Sequence, residues 1–242
     1  MAVSDRIALV TGANKGIGFQ IARQLAMAGV SVILGARDAE RRRQAIEALA
    51  AEGLLVEGVE IDLLDVGSIA AAAEKIAGAH GRLDILVNNA AVADDADGPP
   101  STVPAAVVRR LMETNFLGAF EVIRAMLPLL RRSPAGRIIN LSSPLGSMAV
   151  AADPASPFHG YRLLGYCASK AAVNLLTLQL ASELRDTAIT VNAVAPGFVR
   201  TDLTHGEGQM TPEEGARLPV EYALLEEAMS GRFVSPLGDV AW

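Results

Sequence analysis

Apolar and polar positions alternate along this chain in blocks rather than residue by residue. Ile7-Ala8-Leu9-Val10 is a short apolar run closed by Thr11-Gly12. A helical pattern follows, with Ile17, Ile21, Leu25 and Met27-Ala28 on one side and Gly29 as its stop. Val30 to Leu34 reads as a second strand, and a charged helix from about Ala39 to Ala50 comes next. Leu54 to Ile61, Leu83 to Val87, Arg137 to Leu141, Ala188 to Ala193 and Arg232-Phe233-Val234 are further strand candidates. Between them lie helical stretches at Val66 to Ala79, Pro104 to about Arg131, Tyr166 to Leu184 and onward from Pro212. Strands that are apolar throughout and alternate with helices predict a parallel sheet covered on both faces, with right-handed crossovers. The expectation is one α/β domain over residues 1–242, a doubly wound, Rossmann-type sheet of about seven strands in the order 3-2-1-4-5-6-7. The Gly/Pro/Asp-rich pieces Asp94 to Pro100, Pro144 to Gly160 and His205 to Thr211 are too short for linkers. They follow strands, where open α/β sheets bind ligands.

Composition narrows the classes of function. Of 242 residues, 51% are hydrophobic, too many for a disordered chain, and the net charge of −6 argues against a polyanionic partner such as nucleic acid. Stretches such as Val30 to Ala36 fall short of the ~20 residues of a membrane-spanning helix. No signal-peptide core follows Met1, and Cys167 is the single cysteine, so the expected setting is the reducing cytoplasm. His80, His159 and His205 lack partners at ligand spacing, so no metal site is expected.

The turn Thr11-Gly12-Ala13-Asn14-Lys15-Gly16-Ile17-Gly18 joins the first strand to the first helix. Glycines there permit a tight bend and close backbone approach to a pyrophosphate, which the helix N-terminus then favours. The spacing is G-x-x-x-G-x-G, neither the commoner G-x-G-x-x-G nor a Walker loop. Where NAD-binding proteins usually carry an acidic residue, at the end of the second strand, this chain has Arg37 followed by Asp38. Arg37 and Lys15 together point to the 2′-phosphate of NADP(H). Asp38 keeps open a bond to a ribose hydroxyl, while Arg42 and Arg43 read as a solvated helix face. Tyr166 and Lys170 are four apart on one helical face, where the ammonium is expected to lower the phenol pKa for acid–base work. Ser143 follows a strand and is placed to bond a substrate oxygen. Tyr161 has only Gly165 four residues on.

These motifs, in this order, make the sequence similar to the short-chain dehydrogenase/reductases along nearly its whole length. The resemblance implies cofactor contacts from Gly12, Asn14, Lys15, Gly16, Ile17 and Gly18, and from Asp62 and Leu63 at the adenine. It adds Asn89 and Ala90 after the fourth strand, and Pro196, Gly197, Val199 and Thr201 at the nicotinamide, beside Tyr166 and Lys170. It implies catalytic roles for Asn115, Ser143, Tyr166 and Lys170, with Asn115 anchoring a water that links Lys170 to solvent. The loop with Ala36-Arg37-Asp38, and the C-terminal stretch Thr211 to Trp242, most resemble the NADPH-dependent carbonyl reductases. The implied reaction is reversible reduction of an aldehyde or ketone, a small-molecule substrate. Alternatives on the same scaffold are a 3-oxoacyl-thioester reductase, a hydroxysteroid-type dehydrogenase, or a non-catalytic NADP(H) sensor. Ala91 stands where a glycine is usual, the Ser143–Tyr166 stretch has an intermediate length, and the C-terminus lacks a Gly-rich end. Substrate and oligomeric state, monomer or homo-oligomer, therefore stay open. Met148, Phe158, Tyr161 and Phe198 are candidates for a substrate wall, His159 for its entrance. Asp94, Asp95 and Asp97 read as a solvated loop, and Cys167 as a packing residue.

Overall fold

A computed structural model describes residues 6–242. Its framework is one sheet of β1 (Ile7–Thr11), β2 (Ser31–Gly35), β3 (Glu57–Val59), β4 (Ile85–Asn88), β5 (Arg137–Leu141), β6 (Thr190–Val194), β7 (Phe233–Ser235) and β8 (Gly238–Asp239). The spatial order is β3-β2-β1-β4-β5-β6-β7-β8, so the chain reverses its direction of sheet growth between β1 and β4. Seven strands are parallel, as their sequence pattern predicts. The eighth is an addition: β8 pairs antiparallel with β7, Val234 opposite Asp239. Two residues at an exposed edge carry no periodicity from which a strand could be read. The third strand is also shorter than the run Leu54 to Ile61, because an edge strand has one partner and pairs only from Glu57 to Val59.

The helices are α1 (Gly16–Met27), α2 (Ala39–Ala51), α3 (Val66–His80), α4 (Ala105–Met112), α5 (Ala119–Leu130), α6 (Met148–Ala152), α7 (Leu164–Glu183) and α8 (Pro212–Leu224). The long helix expected from Pro104 to Arg131 is not continuous α-helix, since a π-helical segment, Glu113–Gly118, joins α4 to α5. Alternate residues of each strand enter opposite layers. Ala8, Val10, Ile85, Val87 and Ile139 pack with Ile21 and Leu25 of α1 and Val220 and Ala223 of α8. Leu9, Leu86 and Ile138 pack with Ile69 and Ile76 of α3, Val122 and Met126 of α5 and Leu180 of α7. Burial on both faces explains why every residue of β1, β4, β5 and β6 is shielded from water. Met27, placed with the core face by its spacing, is exposed.

Candidate active site

The carboxyl ends of β1, β4, β5 and β6 meet at one edge of the sheet, where the order reverses. After β1 the chain turns with Gly12 and Gly16 at φ 63 and 57, left-handed values that only glycine adopts without strain. A Cβ on Gly12 would lie 2.9 Å from the Cα of Ala90, and one on Gly18 2.3 Å from Nδ2 of Asn89. The Asn89 side chain donates to the carbonyls of Thr11 and Gly12 at 2.8 and 3.2 Å, and the Thr11 hydroxyl accepts the N–H groups of Asn89 and Ala90. Asn89 and Ala90 therefore act by bracing the glycine turn.

This turn opens α1, whose N-terminus has no side-chain cap. By contrast α2, α3 and α8 are capped by Asp38, Asp65 and Thr211. The uncapped N–H groups and the positive end of the helix dipole suit a phosphate. Beside them a cavity of about 550 Å³ is lined by Asn14, Lys15, Gly16, Arg41 and Gln44, with Asp202 at its rim. These features fit a phosphorylated dinucleotide.

Several sequence expectations change here. One oxygen of Asp38 accepts the Arg41 N–H at 2.8 Å and caps α2, a structural role beside any bond to a ribose hydroxyl. Lys15 reaches across to Asp202 at 2.5 Å rather than standing alone, a pairing that holds the Asp202 carboxyl below its usual range. Arg37 is exposed. Arg41, passed over in the sequence, shares the cavity with Lys15 because it lies on the first turn of α2. Asp62 accepts the Leu64 N–H at 3.1 Å, and Leu63 packs against Gly118 of the π segment. Gly197 takes φ 94, Val199 is buried, and the Thr201 side chain crosses within 3.6 Å of a Cβ built on Gly16. The loop after β6 thereby touches the turn after β1.

The four candidate catalytic side chains come together at the ends of β5 and α7. Ser143 begins a 3₁₀ turn after β5, its hydroxyl accepts the Leu145 N–H at 3.2 Å, and it lies close enough to Tyr166 to oppose the rise of the phenol pKa. Lys170 is 4% exposed, donates to the Leu141 carbonyl at 2.8 Å and stands 5.7 Å from the Tyr166 ring centroid. Asn115 is 2% exposed in the π segment.

The expected lowering of the phenol by the ammonium is outweighed by burial. Burial pushes Tyr166 up to about 12, against the opposing pull of Ser143, and burial brings Lys170 down to about 8. The ammonium is turned to a backbone carbonyl and Lys170 is shielded from water, while Tyr166 is partly buried. The Asn115 side chain is engaged within the fold. Its oxygen accepts the Val92 N–H at 2.8 Å, and its nitrogen donates to the Val92 carbonyl at 3.0 Å and to Ser169 Oγ at 3.1 Å.

The acidic loop after β4 is not merely solvated. Asp94 pairs with Arg110, and Asp95 with His205 at 2.9 Å. Asp97 accepts the N–H groups of Gly165 and Tyr166 at 2.9 and 2.8 Å. Asp97 had a signal in the sequence: Arg162-Leu163-Leu164-Gly165 contains no capping side chain, so the cap of α7 had to come from elsewhere. Beside the site, Pro144, Leu145, Phe158, His159, Tyr161 and Cys167 share a cavity of about 150 Å³. Phe198, 51% exposed, and Met148, exposed on α6, are not part of its lining.

The glycine turn, the Ser-Tyr-Lys cluster and the doubly wound order recur together in known proteins. The sequence pattern of the short chain dehydrogenases matches residues 6–212. The chain belongs to that family. It is accordingly an oxidoreductase. Carbonyl reductase (NADPH) 1 of Sus scrofa is 36% identical over an alignment covering all of this chain and 96% of the pig protein. Carbonyl reductase (NADPH) 3 of Mus musculus is 36% identical, with 93% of each covered. Among solved structures, NADPH-bound carbonyl reductase from chicken fatty liver superposes with TM-score 0.84 at 29% identity, covering 98% of this chain and 99% of that one. Salutaridine reductase from Papaver somniferum superposes with TM-score 0.82 at 29% identity, covering 94% and 99%. Among the described residues no helix is long and apolar enough to cross a membrane.

Proposed function

We propose that this short-chain dehydrogenase reduces an aldehyde or ketone to the alcohol with NADPH, reversibly. The observation that carries the reading is the grouping of Ser143, at the end of β5, with Tyr166 and the buried Lys170, which lies one turn further along α7 and 5.7 Å from the Tyr166 ring centroid. Two relatives named as NADPH carbonyl reductases support it. When bound, the nicotinamide supplies the hydride. Ser143 and Tyr166 would grip the carbonyl oxygen through two hydrogen bonds. With its pKa near 12, Tyr166 is a phenol at neutral pH and so has the proton that the developing alkoxide needs. Lys170, with a pKa of about 8, is mostly an ammonium at pH 7 and would stabilise the phenolate left behind and bind the nicotinamide ribose. Asn115 would anchor a water that links Lys170 to solvent, while its side chain holds the loop at Val92.

Gly12, Asn14, Gly16, Ile17 and Gly18 would seat the pyrophosphate, with Lys15, Arg37 and Arg41 on the 2′-phosphate. Asp62, Leu63, Asn89 and Ala90 would border the adenosine half, and Pro196, Gly197, Val199 and Thr201 the nicotinamide. The test is Tyr166→Phe, assayed by NADPH oxidation against a carbonyl panel. Turnover should fall by more than about a hundredfold while NADPH binding persists. A variant that keeps its activity would refute the role of Tyr166.

A further inference from the structure

We infer that Asp97 is a positioning residue for the reaction: its carboxylate fixes the first turn of the helix that carries Tyr166. The inference rests on the reading of Tyr166 as the proton donor. An α-helix leaves its first N–H groups without partners, and α7 has no side-chain cap from its own N-cap residue, Leu163. The two oxygens of Asp97 supply that cap from a loop 68 and 69 residues away in sequence, one to Gly165 N–H and the other to Tyr166 N–H. The second bond holds the backbone of Tyr166 itself. Gly165 makes the approach possible, since a Cβ there would lie 3.2 Å from Asp97 Oδ1 and 2.6 Å from Leu111 Cδ1.

The cap is also well anchored. The strap from Val92 to Asp97 is held by Asn115 at Val92, by Arg110 at Asp94 and by His205 at Asp95. Asp97 thus ties the Tyr166 backbone to the π segment, to α4 and to the loop after β6. Lys170 lies deeper in α7 and keeps its own bond to Leu141, so the change on losing Asp97 should centre on Tyr166. A displacement of about 1 Å at a reacting group can cost on the order of a hundredfold in rate. The glycine turn that would hold the cofactor makes no contact with Asp97.

The experiment compares wild type with Asp97→Ala, Asp97→Asn and Asp97→Glu, with kcat expressed per NADPH-binding site. Asp97→Ala should lower kcat by about thirtyfold and leave NADPH affinity within about twofold. Asp97→Asn should fall between alanine and wild type, because its amide can accept from only one of the two N–H groups. Asp97→Glu should recover most of the rate. A kcat within twofold of wild type in both Asp97→Ala and Asp97→Asn would overturn the inference, as would a loss explained wholly by fewer NADPH-binding sites. A second readout needs no turnover. Cys167 is the chain's single cysteine, is next to Tyr166, and has its thiol raised chiefly by burial and further by the Asp97 charge. Alkylation of Cys167 by iodoacetamide should be several-fold faster in Asp97→Ala; an unchanged rate would count against Asp97 as the anchor. If wild type reduced no carbonyl at all, the proposed function would fail, while alkylation still decides the anchor: faster in Asp97→Ala than in Asp97→Asn, which loses the same charge but keeps one bond, supports it, and equal rates in the two overturn it.

Discussion

Replacing Lys170 by methionine keeps most of the buried stem and removes the ammonium, which makes it a direct probe of what burying that charge costs. The lysine value falls from 10.5 to about 8 in the folded protein because burial disfavours the charged form. Between those values the unfolded chain binds the extra proton, so stability rises with pH there and is lost as pH falls through 8. Each pH unit is worth about 1.4 kcal/mol, giving a total near 3 kcal/mol, of which about 2 is regained between pH 7 and 9.5. Urea unfolding of wild type and Lys170→Met at pH 7, 8, 9 and 9.5 measures this as the difference between two unfolding free energies. Burial raises both the thiol of Cys167 and the phenol of Tyr166, and both are present in each protein, so their contributions largely cancel in the difference. Wild type should gain about 2 kcal/mol relative to Lys170→Met over that interval, with unchanged slopes. A difference that stays flat from pH 7 to 9.5 would show that the ammonium is not desolvated, and the account of Lys170 would be wrong.

Gly18→Ala should reduce NADPH affinity by at least about tenfold and lower Tm, because its Cβ would sit 2.3 Å from Asn89 Nδ2 and 2.5 Å from the Gly12 carbonyl. Cofactor titration and a thermal melt check this. Asp38→Ala should cost about 1 kcal/mol through loss of the α2 cap and leave NADPH affinity unchanged. A large loss of cofactor affinity would place Asp38 on the ribose as well. Arg37→Ala should weaken NADPH by about tenfold and leave NADH unaffected, measured by paired Kd values.

Much of the fold is legible because its strands are buried on both faces. Ile7 to Val10 and Ile138 to Leu141 are apolar almost throughout, which distinguishes a covered parallel sheet from the alternating pattern of a half-exposed one. The glycine turn is equally legible, since positive φ and close approach at Gly12 leave a mark on residue type. Where residues act through partners distant in sequence, that legibility ends. Asp97 reads as one carboxylate in an acidic loop until the fold sets it on the N–H groups of Gly165 and Tyr166. Asp38 looks like a ribose ligand by position, yet one oxygen of its carboxylate also caps its own helix. The π segment is hidden because its six residues are ordinary helix formers or neighbours of them, and packing of Gly118 on Leu63 accompanies the change in pitch.

The sequence by itself determined the layering, the glycine turn and the residue types of the reactive cluster. These follow from local rules: burial pattern, backbone freedom and helical spacing. Only the tertiary structure decided the charge states and the partners. Spacing puts Lys170 beside Tyr166 but says nothing about water, and it is burial that pushes the Tyr166 phenol up to about 12 and lowers Lys170 to about 8. A carboxylate or an amide likewise bonds whichever groups folding brings within 3 Å, and for Asp97 and Asn115 those groups lie elsewhere in the chain.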